Sequence, residues 1–158
     1  MPNRAYFYNK LQRTLLEHAR VSRGMALMYF DIDRFKSIND NYGHDVGDKI
    51  IQEFTHRVSM TLRASDFVAR LGGDEFILFI QDAKSRRAVE IIAEKIIAMM
   101  EHPFVIGQLK LGVSTSIGIA MFELGQDLDE WIRKSDQALY AAKRAGRNRY
   151  KFADMKSD

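Results

Sequence analysis

Two pairs of neighbouring carboxylates are the side chains of this sequence best suited to chemistry. Asp31 and Asp33 follow a short apolar run, and Asp74 and Glu75 lie between two further apolar runs. If the second pair lies on the turn of a hairpin beside the first run, the carboxylates converge at one edge of a sheet. Converging carboxylates with oxygen neighbours suit Mg²⁺, which takes one or two protein carboxylates and fills its shell with water and substrate phosphates.

A purely structural interpretation of these acids stays open at this level. Asp33 would cap a short helix over residues 34–38, and the turn acids would be solvated. Gly72 and Gly73, directly before the second pair, favour the functional interpretation, because glycines permit positive φ and let a ligand approach the backbone. The sequence contains neither a P-loop nor a Gly-x-Gly-x-x-Gly segment, which excludes those two kinds of phosphate site.

The composition is that of an ordinary globular protein of one domain. The chain has 158 residues, of which 46% are hydrophobic and 28% charged, and this excludes disordered and fibrous classes. It has no cysteine, so a disulfide scaffold, a thiol nucleophile and a Cys-ligated metal are excluded. No apolar run approaches the roughly 20 residues that span a bilayer. We therefore expect a cytoplasmic domain that makes no membrane contact itself.

Positive charge is concentrated near the end of the sequence. The net charge is +3, and residues 141–158 hold six Lys or Arg against two Asp. Lys143 and Arg147 are four residues apart, which predicts a shared helix face suited to phosphate. A solvated basic tail is the alternative. The excess is too local for a long nucleic-acid footprint, so we expect no nucleic-acid partner.

Helical and strand periods alternate along the chain and predict an α+β fold. We expect helices over residues 3–21, 45–64, 85–101 and from 128 to 144–146, where Gly146 suits a C-cap. We expect strands over residues 25–30, 67–71, 76–80, 104–106, 109–113, 115–122 and 149–152. The order βαββαβ predicts a mostly antiparallel central sheet with a ferredoxin-like or palm core and flanking helices.

Five motifs, in this order and spacing, resemble the GGDEF domain of bacterial diguanylate cyclases. They are DIDRFKSIND (31–40), NYGHDVGD (41–48), RLGGDEF (70–76), SIGIA (116–120) and SDQALYAAKRAGRN (135–148). The resemblance covers nearly the whole chain and implies a single domain over residues 1–158 with a fold similar to adenylate cyclase catalytic domains. It also implies a piece of a longer multidomain protein, since the family's usual stretch before Pro-Asn-Arg is not in this sequence.

The resemblance implies an enzyme that condenses two GTP into cyclic di-GMP and two pyrophosphates. Because each domain of the family holds one GTP, it implies a homodimer whose two sites face each other. Carried over by motif position, Asp31, the Ile32 carbonyl and Asp74 would hold Mg²⁺, or Mn²⁺ in its place, and Asp74 and Glu75 would be catalytic. The domain would be cytoplasmic even in a membrane-anchored parent protein.

The resemblance also assigns residues to the substrate. Asn39 and Asp48 would read guanine, whose N1–H and exocyclic amine can both donate to a carboxylate, as adenine cannot. For Asp48, a helix first-turn carboxylate favoured by the macrodipole is the alternative. The remaining GTP contacts would be side chains of Lys36, Lys143 and Arg147, backbone N–H groups of Arg34 and Phe35, and the turn glycines Gly72 and Gly73.

Arg63 and Asp66 lie where the family has its product-inhibition site, so cyclic di-GMP is expected as an inhibitor as well as the product. The Arg-x-x-Asp pattern recurs at Arg133–Asp136, and only its position gives it meaning. The alternative is a helix C-terminal arginine favoured by the dipole, followed by a strand-opening aspartate. On the next helix, Lys95 stands where the family often has an arginine, and lysine cannot bind bidentately.

A second function class stays open, namely a GTP- or cyclic-di-GMP-binding regulatory module with little turnover. Such a module would control an attached domain such as an EAL phosphodiesterase, and residues 146–152 resemble the segment that leads into one. A cyclase for another nucleotide is a third interpretation, which Asn39 and Asp48 disfavour. The signature acids and the basic residues are intact, which favours the enzyme.

Overall fold

The computed structural model describes residues 4–18 and 24–154, which form five helices and seven strands. The helices are α1 (Arg4–His18), α2 (Phe35–Tyr42), α3 (His44–Met60), α4 (Arg86–Met99) and α5 (Leu128–Arg144). The strands are β1 (Ala26–Ile32), β2 (Phe67–Gly72), β3 (Glu75–Ile80), β4 (Phe104–Ile106), β5 (Leu109–Leu111), β6 (Thr115–Met121) and β7 (Tyr150–Phe152). None of these helices is long and apolar enough to cross a membrane.

One five-stranded sheet runs through the molecule in the order β2-β3-β1-β6-β7. Its pairings are antiparallel except for β6–β7, and β4 and β5 form a separate hairpin. Helix α3 lies in the connection from β1 to β2, and α4 in that from β3 to β6. These elements make the predicted βαββαβ core, so the α+β fold class is confirmed.

Helices cover both faces of this sheet, and alternate residues of its central strand β1 are therefore buried against different helices. Met28 and Phe30 belong to the cluster formed with α3 and α4, whereas Leu27 and Tyr29 belong to the cluster formed with α1 and α5. Successive side chains of a strand point to opposite faces. Asp31 continues the second series and therefore lies on the α5 face, where its partner Lys143 is found.

Several predicted boundaries differ from those observed. Strand β1 ends two residues later than expected, at Ile32, so Asp31 lies within the sheet. Helix α3 ends at Met60 instead of residue 64, and the short helix expected over 34–38 extends to Tyr42. The predicted first helix, over 3–21, can be compared only over residues 4–18, because its remaining positions lie outside the described residues.

Arg57 ties α3 to the end of α4 and to β4, and sequence reasoning did not identify it. Its side chain is only 11% exposed, its guanidinium carbon lies 3.8 Å from the Phe104 ring centroid, and its Nε donates to Glu53 at 3.0 Å. The guanidinium also donates to three backbone carbonyls at 2.7–3.0 Å, those of Met99, His102 and Pro103. It therefore satisfies acceptors that the end of α4 leaves unpaired.

Candidate active site

The predicted convergence of carboxylates is found where the end of β1 meets the start of β3. Asp31 is directly opposite Glu75 in the antiparallel pairing, and Asp74 occupies the turn just before β3. Opposed residues of an antiparallel pair project to the same face. The structure thus brings together three of the predicted acids at one edge of the sheet.

Asp31 is a buried carboxylate with one oxygen paired and the other unpaired. Its side chain forms an ion pair through Oδ2 with Lys143 Nζ, whereas Oδ1 is buried and finds no hydrogen-bond partner among the described residues. Burial raises the pKa of Asp31 to about 6, although Lys143 lowers it, and the charges of Asp74 and Asp33 raise it further. An orphaned carboxylate oxygen at this depth is suited to a cation.

Asp74, like Asp31, has a carboxyl group whose ionised form is disfavoured by its surroundings. Burial raises the pKa of Asp74, against the backbone N–H groups of Asp74 and Ile32 and the charge of Lys143, which lower it. Two adjacent carboxyls that are both hard to ionise favour a further cation between them.

The residues present fit Mg²⁺ better than a metal that needs an all-protein cage. No cluster of three His, Cys, Asp or Glu that could hold an ion occurs within residues 4–18 and 24–154. Two carboxylates and a backbone carbonyl leave several positions for water and phosphate oxygens, which is the coordination that Mg²⁺ usually adopts.

We expect Asp31→Asn to stabilise the metal-free protein near neutral pH. The pKa of Asp31 rises from 3.8 to about 6 on folding, so the stability it contributes is present below the lower value and lost as pH rises through the higher one. Asparagine mimics the protonated form and avoids that loss. Urea unfolding in EDTA should show that the variant's free energy of unfolding, relative to that of the unchanged protein, increases from about pH 4 to about pH 7. An advantage that shrank as pH rose would contradict this, and exposed Asp45→Asn is the control.

Asp33 does not have the helix-capping role that sequence reasoning left open for it. The residue at the N-cap of α2 is Arg34, with φ 55° and no side-chain cap bond. Instead, the buried Asp33 carboxylate accepts hydrogen bonds from the hydroxyls of Ser114 and Ser116, both at 2.6 Å, and from the backbone N–H of Asn148 at 3.1 Å. It joins β1, the start of β6 and the loop after α5.

Lys143 and Arg147 do not share a helix face, so that expectation was wrong. Helix α5 ends at Arg144, and Gly146, with φ 124°, reverses the chain after it. The N–H of Gly146 donates to the Lys143 carbonyl and that of Arg147 to the Ala142 carbonyl, the Schellman pattern that glycine favours. Gly146 thus ends the helix as predicted, but it places Arg147 in the following loop.

Asn39 and Asp48 lie on neighbouring helices, close to a glycine that sequence reasoning overlooked. Asn39 Oδ1 is buried without a hydrogen-bond partner among the described residues, and a Cβ added at Gly47 would lie 1.8 Å from it. Asp48 is exposed and follows the first turn of α3, whose acidic residue is Asp45. The first-turn alternative for Asp48 is therefore wrong.

The remaining predicted substrate contacts surround the end of β1. Lys36 is exposed near the start of α2, and the backbone N–H groups of Arg34 and Phe35 belong to that helix N terminus, where such groups lack helical partners. Gly72 and Gly73 are exposed with φ 146° and 52°, and a Cβ on either would have no atom within 4 Å. Glycine is required there by backbone angle and not by crowding.

Glu75 lies beside a buried tyrosine. Burial raises the pKa of Tyr29 to about 12, and the negative charge of Glu75 raises it further. The tyrosine hydroxyl can donate to the carboxylate of this catalytic candidate at the start of β3.

Arg63 and Asp66 pair with each other in the loop between α3 and β2. The Arg63 guanidinium contacts both carboxylate oxygens, at 3.3 and 3.0 Å, and donates to the Gln81 carbonyl at 2.8 Å. Because α3 ends three residues earlier, Arg63 is not the helix C-terminal arginine of the alternative interpretation. Its side chain is 45% exposed, so one side remains accessible to a ligand.

Comparison with known proteins gives one consistent family. The profile described as "Diguanylate cyclase, GGDEF domain" matches residues 1–149. The bifunctional diguanylate cyclase/cyclic di-GMP phosphodiesterase MucR of Pseudomonas aeruginosa is 38% identical over 153 residues, covering 96% of this chain. The chain spans 22% of MucR, 19% of the signaling protein YkoW of Bacillus subtilis and 36% of the P. aeruginosa diguanylate cyclase TpbB.

Solved structures agree with this result. The GGDEF domain of YfiN (TpbB) from P. aeruginosa superposes with TM-score 0.92 at 36% identity, covering 99% of this chain and 98% of that one. The GGDEF domain of DgcB from Caulobacter crescentus, in complex with c-di-GMP, has TM-score 0.92 at 28% identity, covering 98% of this chain and 92% of that one.

Proposed function

The chain belongs to the GGDEF family of diguanylate cyclase domains, and on that premise we propose that it condenses two GTP into cyclic di-GMP and two pyrophosphates in a Mg²⁺-dependent reaction. The observation that carries the proposal is the buried, unpaired Oδ1 of Asp31 beside Asp74. A regulatory module that bound only cyclic di-GMP would have no need of these two acids, one buried and one partly buried.

In this proposal, the 3′-hydroxyl of one GTP attacks the α-phosphorus of another, and pyrophosphate leaves. Asp31, Asp74 and the Ile32 carbonyl would hold Mg²⁺, which stabilises the charge that develops on phosphoryl oxygens. Lys143 is already held at Asp31 by an ion pair and would turn to the phosphates. Arg147, Lys36 and the N–H groups at the start of α2 would neutralise the rest of the triphosphate.

Glu75 completes the catalytic corner. It faces the same side of the sheet as Asp31 and is held near the Tyr29 hydroxyl. We assign it to the reacting end of the substrate, together with Asp74, and leave the guanine to Asn39 and Asp48.

Ring closure requires two domains, because each would present one GTP. We therefore propose a homodimer with facing sites as the catalytic form. We also propose that cyclic di-GMP binds at Arg63 and Asp66 as an inhibitor, which the half-exposed Arg63 guanidinium supports. Since GTP is a cytoplasmic nucleotide, the proposal implies a cytoplasmic domain.

Gly47→Ala is expected to weaken GTP binding about tenfold although alanine is the better helix former. The added Cβ would lie 1.8 Å from Asn39 Oδ1 and would displace the amide that we assign to guanine. Isothermal titration with GTP would measure the loss, and thermal unfolding would show that the fold is intact. In an Asn39→Ala background the same change should have no effect on affinity, and a full tenfold loss there would contradict the assignment.

The decisive experiment is a product assay with GTP and Mg²⁺ over a wide range of protein concentration, with nucleotides separated by chromatography. We expect cyclic di-GMP to rise more steeply than linearly with protein, as a dimeric catalyst requires. GTP binding without product at every concentration would overturn the cyclase in favour of the regulatory module. A product rate strictly linear in protein down to the lowest concentration, from a protein that is monomeric at that concentration, would contradict the proposed dimer.

A further inference from the structure

The loop after α5 has an unusual backbone at the residue that we assign to the triphosphate. Arg147 and Asn148 both have positive φ, 64° and 49°. Asparagine tolerates this conformation well, but for arginine it is strained, because its Cβ comes close to the backbone. Such strain persists only where surrounding contacts determine the conformation.

Three kinds of contact hold this loop in place. The Arg147 N–H donates to the Ala142 carbonyl at the end of α5, and the Arg147 carbonyl accepts from Arg149 Nε at 2.9 Å. Both of these are local in sequence. The third kind is long-range: the Ile117 N–H of β6 donates to the Arg149 carbonyl at 2.9 Å, and the Asn148 N–H donates to Asp33 Oδ2 from 115 residues away.

Asp33 is the contact that relates this loop to the catalytic edge. It lies two residues after Asp31 and is only 5% exposed. Its Oδ2 accepts from both the Asn148 N–H and the Ser114 hydroxyl, and its Oδ1 accepts from the Ser116 hydroxyl. The serines fix the carboxylate, and the carboxylate fixes the Asn148 N–H. Within residues 4–18 and 24–154, no other hydrogen bond of residues 145–149 reaches the segment at the end of β1.

We propose that Asp33 is a positioning residue, whose carboxylate locks the Arg147–Asn148 turn so that Arg147 meets the triphosphate of GTP. This inference rests on the proposed function and extends it, since it assigns the second aspartate of the Asp-x-Asp pair to the arginine and not to the metal. A carboxylate suits the task because it accepts from all three donors at once.

Two substitutions at Asp33 separate positioning from charge. Alanine removes the acceptor, so the Asn148 N–H loses its partner and the turn that carries Arg147 loses its link to the end of β1. Asparagine can keep the arrangement, because its carbonyl can accept from Ser114 and Asn148 while its amide donates to Ser116. Ser116→Ala is the matched control, since it removes one bond to the same carboxylate and leaves the Asn148 bond in place.

The experiment measures the affinity of each variant for 3′-deoxy-GTP, which lacks the attacking hydroxyl, and the exchange rate of the Asn148 amide by NMR. We expect Asp33→Ala to weaken binding about tenfold and to speed exchange at Asn148. We expect Asp33→Asn and Ser116→Ala to bind like the unchanged protein. In an Arg147→Ala background, Asp33→Ala should cause no further loss. If Asp33→Ala does not fold, Asp33→Ser, which is too short to bridge all three donors, takes its place.

The outcomes distinguish this inference from the proposed function. Unchanged affinity in Asp33→Ala, or an equal loss with Arg147 already removed, overturns the role of Asp33 while leaving the cyclase intact. Failure of the unchanged protein to bind 3′-deoxy-GTP overturns the proposed function and this role with it.

Discussion

Asp74→Ala is expected to reduce cyclic di-GMP formation by about 1,000-fold or more while the domain stays folded. Removing Asp74 takes away one of two side-chain ligands for the proposed Mg²⁺ at the point where charge develops on the phosphate. The fold should survive because Asp74 lies on a turn and its carboxyl gains little from its position, as its raised pKa shows. The measurement is the chromatographic product assay beside a urea unfolding curve.

The exposed Asp45 provides a matched control for this prediction. It is an exposed acid in the first turn of α3, with no side-chain hydrogen bond or ion pair to any residue within 4–18 and 24–154. Asp45→Ala should therefore change turnover by less than about twofold. Undiminished product from Asp74→Ala would remove Asp74 from the metal site and with it the proposed mechanism.

Arg57→Met is expected to lower the free energy of unfolding by about 3 kcal/mol or more. Methionine keeps much of the side-chain volume but leaves the carbonyls of Met99, His102 and Pro103 without their donor. It also removes the cation from the face of Phe104. Urea unfolding followed by circular dichroism gives the difference directly.

Arg87→Met is the control that tests whether the loss of stability in Arg57→Met depends on the burial of the arginine. The Arg87 side chain is 60% exposed and pairs with Glu90 and Glu94 at 3.5 and 3.0 Å. Exposed pairs of this kind contribute little, so the cost should be only a small fraction of that in Arg57→Met. Equal losses in the two variants would show that Arg57 acts only as a surface charge.

The sequence predicts the order of elements well but not the face on which its acids lie. The run from Met25 to Phe30 correctly indicates a buried strand. However, β1 is buried on both faces, and a strand of that kind shows no polar–apolar alternation from which a side could be assigned. The sequence therefore could not predict that Asp31 faces α5 and not α3, and only the structure shows it.

What the sequence could not predict depends on contacts between distant segments. Gly146 signals a helix end, yet the path of Arg147 after it depends on Asp33, 114 positions earlier. From the sequence, Arg57 is indistinguishable from the other charged residues of an amphipathic helix. Only its carbonyl partners, at the end of α4 and in the loop that follows, explain its burial. The roles assigned to the GTP and metal residues remain predictions, which the variants above test.

The register that sets Asp31 opposite Glu75 also constrains how genes for such domains can change. In a strand, the loss or gain of one codon moves every later side chain to the opposite face. A single-codon deletion upstream of Asp31 within β1 would leave amino-acid composition nearly untouched, yet it would turn this acid from α5 toward α3 and α4. Point substitutions should therefore accumulate in β1 and β3 far more readily than length changes. Loops such as residues 123–127 are free of that restriction.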